Sequence, residues 1–176
     1  GPSNEHIVFS NRAANNELRI TNDELRNLKQ TKWIYITSLS GKWPEVLKNV
    51  FSISKVKIAW NPGHRQILSG VETIGKYLAK TTVLIVNKDE ATELVMSMNK
   101  YKKTKNDFFR NTSNLIKALK STGIKIVVIT EGKYGAQAYD GKKVYHQAVV
   151  KERKRVNTTG VGDAFGSSFI AGMELY

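Results

Sequence analysis

Cysteine is absent from all 176 residues of the chain, which excludes disulfides and thiolate metal sites from its stability and its chemistry. Together with the lack of a secretory signal pattern, that absence points to a cytoplasmic setting. Long apolar runs are missing too. The longest are strand-length, and the apolar stretch near the C-terminus is broken by Gly166, Ser167, Ser168 and Gly172, so no segment reads as a membrane span. The three histidines, His6, His64 and His146, show no metal-ligand spacing and read as structural or surface residues. No internal repeat is present. Acid is also scarce: 15 Asp and Glu face 28 Lys and Arg, a formal net charge of +13.

What remains is the composition of one globular domain, 40% hydrophobic and 24% charged, large enough for a single sizeable core. The positive charge gathers at Lys100-Tyr101-Lys102-Lys103-Thr104-Lys105 and Lys151-Glu152-Arg153-Lys154-Arg155. Such clusters suit either a solvated lysine-rich surface or nucleic acid held through counterion release. They lack regular aromatic interleaving and match no nucleic-acid motif, which favours the solvated surface and leaves a basic nucleic-acid-binding protein as the alternative.

Strand-like and helix-like periods alternate along the chain. Apolar strands are expected at residues 33–37, 56–60, 83–86 and 124–129, with amphipathic helices at 43–51, 71–78, 90–98 and 114–120 between them. Asn111-Thr112-Ser113 offers a helix cap, and Gly123 stands where that helix would end. The near-continuous apolar strands predict a mainly parallel sheet covered on both faces, a three-layer α/β/α, Rossmann-like architecture. Tyr139-Asp140-Gly141-Lys142 adds a tight turn for an antiparallel hairpin near one edge. In such sheets ligands gather at the carboxyl ends of the strands, where Asn61, Asn87, Thr130 and Gly160 are all expected.

The chemistry concentrates in Asn157-Thr158-Thr159-Gly160-Val161-Gly162-Asp163-Ala164-Phe165. Phe165 and Phe169 are one turn apart on an apolar face, so a helix is expected to start near Gly162. Its first N–H groups lack helical partners, its dipole favours an anion, and Gly160 and Gly162 bring no Cβ to obstruct a phosphate. Asp163 then sits where a carboxylate orients a hydroxyl and accepts its proton. A plainer reading accounts for the same residues: threonine caps helices, and the dipole alone favours Asp in a first turn.

This segment closely resembles the second signature of the ribokinase-like, or PfkB, carbohydrate kinases, Asp-Thr-Thr-Gly-Ala-Gly-Asp-Ala-Phe, and seven of nine positions match. The resemblance continues upstream in order. Asn87-Lys88-Asp89-Glu90 is similar to the family's Asn-x-x-Glu element near magnesium and phosphates, and Thr130-Glu131-Gly132-Lys133-Tyr134-Gly135-Ala136 to the Thr-x-Gly-x-x-Gly-Ala stretch along the nucleotide. Ile58-Ala59-Trp60-Asn61-Pro62-Gly63 resembles the Asp-x-Asn element, and residues 36–41 the strand and loop before it. Asn157 replaces the usual Asp of a position that in several members helps hold a monovalent cation, which leaves dependence on that cation open. Ala59 and Gly63 stand where members often have an acid and an Arg, so those contacts do not carry over.

The resemblance implies an ATP-dependent phosphotransferase acting on a sugar or nucleoside hydroxyl, with ATP as cosubstrate. It implies Asp163 as base and a contact to the acceptor, Gly160, Val161 and Gly162 as the anion cradle, and Thr130, Gly132, Gly135 and Thr159 as nucleotide contacts. Asn87 and Glu90 would organise Mg²⁺ through water, and Asn61 would touch the acceptor. Without the resemblance, Asn87 and Glu90 read as a helix cap. Residues 1–5 read as a tag remnant or unordered start, and 6–176 as a partial ribokinase-like domain that opens near residues 6–15, a likeness to the strand returning from the substrate lid. The N-terminal substrate and lid portion is expected to be missing, a homodimer to belong to the full-length protein, and the chain alone to be inactive or a catalytically silent module.

Overall fold

The computed structural model describes residues 18–150 and 160–175. Strands β1 (Trp33–Ile36), β2 (Lys57–Trp60), β3 (Val83–Asn87) and β4 (Ile126–Thr130) run parallel in sequential order, and β5 (Ala136–Tyr139) and β6 (Val144–Gln147) complete the sheet antiparallel. Parallel neighbours need crossover connections, which here hold helices α2 (Trp43–Val50), α3 (His64–Leu68), α4 (Gly70–Leu78), α5 (Lys88–Ser97), α6 (Asn106–Arg110) and α7 (Thr112–Lys120). Because each crossover steps the same way across the sheet and such connections are right-handed, these helices collect on one face.

Strand side chains alternate between the two faces. Ile34, Ile36, Ile58, Trp60, Leu84, Val86, Val127 and Ile129 join the larger core with the crossover helices, whereas Ala59, Val83, Ile85 and Val128 join a smaller core on the other side. The smaller core is covered by α8 (Val161–Leu175) through Phe165, Phe169 and Ile170. The expected α/β/α sandwich is thus present with unequal layers. Buried on both faces, β3 needs apolar residues at four consecutive positions, which is why it reads as a continuous run rather than an alternation.

Local signals act where the sequence places them. Asn111 accepts from the Ser113 amide at 2.9 Å to cap α7, and Gly123 takes φ +103° as the chain turns toward β4. In the β5–β6 hairpin, Asp140 Oδ1 accepts from the amides of Lys142 and Lys143 at 2.7 and 2.8 Å, with Gly141 at φ +100°. Helix α1 (Asn22–Leu28) was not expected; it buries no residue, although Leu25 and Leu28 lean on the larger core. Among the described residues no helix is long and apolar enough to cross a membrane. Residues 6–15 and the basic cluster at 151–155 lie outside the described residues.

Candidate active site

The carboxyl ends of three strands bring the separated motifs to one edge. Asn61 follows β2, Asn87 ends β3, Thr130 ends β4, and the last two are register partners. Helix α8 runs back across the second face. Near its C-terminus Glu174 accepts from Trp33 Nε1 at 3.1 Å and pairs with Lys32 and Lys57, which flank the starts of β1 and β2. Its first turn, at the opposite end, shares a cavity of about 410 Å³ with Thr130, Gly132 and Gly135. The unpaired amides and positive dipole end of a 15-residue helix therefore open on the edge where the strands finish.

The glycines around this cavity have different reasons to be glycine. Gly160 has φ +80° and Gly132 φ +55°, and a Cβ on either, or on Gly162, would meet nothing within 4 Å among the described residues. These three leave open space beside the amides, as an anion cradle requires. Gly135, at φ +92°, is packed instead: a Cβ there would lie 2.0 Å from the Gln147 carbonyl oxygen and 2.9 Å from Ala148 Cα. Its place in the turn is set by the backbone leaving β6. Val161 and Phe165 add apolar wall to the cavity. Thr159, expected as a nucleotide contact, lies outside the described residues, as do Asn157 and Thr158.

Asp163 is in the first turn of α8 and exposed, and its main-chain carbonyl accepts from Ser167 Oγ at 2.8 Å. Among the described residues its carboxylate enters no ion pair. Asn61 is largely committed to the sheet, its Nδ2 donating to the Ile85 carbonyl at 2.7 Å and its amide to the Ile36 carbonyl at 2.8 Å.

Asn87 and Glu90 form a reciprocal capping box on α5. Asn87 Oδ1 accepts from the Glu90 amide at 2.9 Å, and Glu90 Oε2 accepts from the Asn87 amide at 2.8 Å. The plain capping role is therefore real. Burial pushes the Glu90 carboxyl above its ordinary value, with the Asn87 amide working against the shift and the nearby Glu93 and Asp89 charges adding to it. Among the described residues no group of three acidic or histidine side chains could enclose a metal ion. Asn87 and Glu90 offer too few free donors to enclose an ion, which suits a cation that keeps its own water shell, as Mg²⁺ does.

Sequence reasoning passed over Glu131, the variable position of the Thr-x-Gly element. Its side chain is only 10% exposed, yet it accepts from Thr112 Oγ1, from Gln137 Nε2 at 2.7 Å and from Lys88 Nζ at 3.3 Å. Burial alone would raise its carboxyl, but the bonds from Thr112, Gln137 and Lys88 outweigh it and hold it below the ordinary value. Glu131 thus ties the starts of α5 and α7 to β5, next to the turn at Gly132. Nothing in the local spacing marks it, because its partners lie up to 43 residues away.

A family model described as pfkB family carbohydrate kinase matches residues 2–174. The chain belongs to the PfkB family of carbohydrate kinases. Among curated PfkB-type relatives, it is 26% identical over 174 residues to an ATP-dependent 6-phosphofructokinase of Thermoanaerobacterium thermosaccharolyticum, covering 96% of this chain and 48% of that one. A cytidine kinase of Thermococcus kodakarensis is 24% identical over 128 residues, covering 72% and 42%. The chain spans about half the length of these relatives. The fold is ribokinase-like: an E. coli putative ribokinase II in complex with ATP and Mg²⁺ superposes with a TM-score of 0.64 at 19% identity, over 86% of this chain and 48% of that one. Arabidopsis thaliana ribokinase complexed with ribose and ATP gives 0.63 at 19% identity, over 87% and 46%. Among the described residues, Asn61, Asn87, Thr130 and the start of α8, all from the PfkB motifs quoted from the sequence, stand at the carboxyl edge.

Proposed function

We propose that this PfkB chain supplies the nucleotide side and the base of an ATP-dependent kinase that phosphorylates a hydroxyl of a sugar or nucleoside. The observation that carries the reading is the meeting of the α8 N-terminus with the Thr130–Gly132 turn around one cavity at the carboxyl edge. The names of the relatives agree with it, since they include a phosphofructokinase, a cytidine kinase and ribokinases.

Asp163 accepts the proton of the acceptor hydroxyl as its oxygen forms a bond to the γ-phosphorus. The bond from that phosphorus to the β,γ-bridging oxygen breaks, and ADP leaves with the electron pair. The amides of Gly160, Val161 and Gly162 face the charge that grows on the phosphoryl oxygens, and the α8 dipole adds to their field. Thr130 and Gly132 border the phosphates from the β4 side. Mg²⁺, when bound, offsets phosphate charge, and Asn87 and Glu90 are the residues to hold its water shell.

In the full-length enzyme, Asp163→Asn is expected to lower kcat by about 100- to 10,000-fold, the usual worth of a general base. Mg-ATP affinity should stay within about twofold, since the carboxylate acts on the acceptor rather than the nucleotide. Comparable turnover in variant and parent would remove Asp163 from the base role.

A further inference from the structure

Tyr35, on β1, has a hydroxyl without a partner among the described residues. Its Oη is fully shielded and, among the described residues, makes no hydrogen bond. A buried hydroxyl without a partner is destabilising and calls for a reason, because phenylalanine would fill the same space at no such cost. The hydroxyl lies against α8 at Gly166, where an added Cβ would stand 2.0 Å from Oη and 2.6 Å from Cζ. Gly166 is therefore glycine to admit this hydroxyl to the helix surface. Asp163, Gly166 and Ile170 follow i, i+3, i+7 and share one stripe of α8, and Gly166 and Ile170 are the two buried residues of that helix. Side chains on a helix lean toward its N-terminus, so the acidic group one turn up this stripe from Oη is Asp163. Burial pushes the Tyr35 phenol above its ordinary value, and the negative charge of Asp163 pushes it further.

We propose that the Tyr35 hydroxyl is a positioning group for Asp163, donating to the carboxylate from beneath the first turn of α8 when that side chain turns inward to meet an acceptor hydroxyl. The inference rests on the reading of Asp163 as the base. An oriented carboxylate keeps one oxygen occupied by the phenol and presents the other to the acceptor, which removes the rotamers in which the base faces solvent.

Two measurements test this. The first follows tyrosine ionisation by ultraviolet absorbance in this chain and in its Asp163→Asn variant. One of the seven tyrosines is expected to ionise at lower pH once the neighbouring charge is removed; superimposable titrations would overturn the proposal without touching the role of Asp163. The second uses the full-length enzyme with Mg-ATP and fructose 6-phosphate, ribose and cytidine as acceptors. Tyr35→Phe is expected to lower kcat about tenfold, the worth of one charge-assisted hydrogen bond, with KM for ATP unchanged and the thermal midpoint unchanged or higher. In the Asp163→Asn background the same substitution should have no further effect, because both act through one carboxylate. A purely structural tyrosine would give a lower midpoint and additive losses, which would sink the inference. Parent-like turnover of Asp163→Asn alone would instead sink the base reading.

Discussion

Two glycines of the nucleotide-side motifs illustrate how one residue type serves different physics. Gly135 sits at φ +92° with the Gln147 carbonyl 2.0 Å from where a Cβ would be, so Gly135→Ala must move the backbone that leaves β6. Stability should fall by about 1–3 kcal/mol, seen as a lower thermal midpoint. Gly162 is in the first turn of α8 with open space around it, and alanine is the better helix former. Gly162→Ala should leave the midpoint unchanged or higher while weakening Mg-ATP binding, because its methyl occupies the side from which a phosphate approaches. Equal nucleotide affinity in Gly162→Ala and parent would remove that amide from the cradle. The sequence marked both glycines as motif positions, but only the fold separates the one that stands in open space from the one that clears space for the chain itself. For the same reason Tyr35 was not legible: its significance depends on Gly166, 131 positions away, and on a hydroxyl that lacks a partner among the described residues.

At the scale of elements, the strands and the longer helices could be read because each buries a face and so imposes a period on its residues. The expected strand at 83–86 is observed as Val83–Asn87, and the helix at 114–120 as Thr112–Lys120. Helices α1, α3 and α6 escaped because they are seven residues or fewer and bury at most two side chains, too few to show a period. Between elements, the capping box of α5 and the Glu131 hub make opposite contributions to acid stability. Glu131 has a folded value below its ordinary 4.5, so its stabilisation is fully present above that pH and is lost as pH falls through the depressed value. Glu90 is held above its ordinary 4.5, so the folded state holds its proton more tightly, and its contribution weakens as pH rises from that value through the raised one. Chemical denaturation of Glu131→Gln across the acid range should show a shallower loss of stability below pH 4.5 than the parent. At neutral pH the variant should be less stable by about 1–3 kcal/mol, since Lys88 and Thr112 lose a charged acceptor. A parallel acid profile in the two proteins would mean that the hub does not govern this limb.

At the scale of the whole molecule, the net charge of +13 is the feature that family membership does not explain. A positive field attracts ATP and polynucleotides alike, so affinity alone cannot separate a kinase core from a nucleic-acid-binding surface; salt and magnesium can. A polyphosphate held by a few amides in one cavity engages few charges and should lose little affinity with salt, whereas a polynucleotide laid along lysines loses affinity as a power of salt set by the number of phosphates neutralised. Isothermal titration of this chain with Mg-ATP is expected to saturate with Kd tighter than about 1 mM, roughly 4 kcal/mol of binding free energy, and to shift by less than about threefold between 0.1 and 0.3 M salt. Over the same interval, binding of a single-stranded oligonucleotide is expected to be weak and to collapse. The reverse pattern, no saturation with Mg-ATP and tight, steeply salt-dependent oligonucleotide binding, would assign the carboxyl edge of this chain to fold rather than to nucleotide, and the cradle at the start of α8 would then have to be tested in the full-length protein before any catalytic role is kept for Asp163.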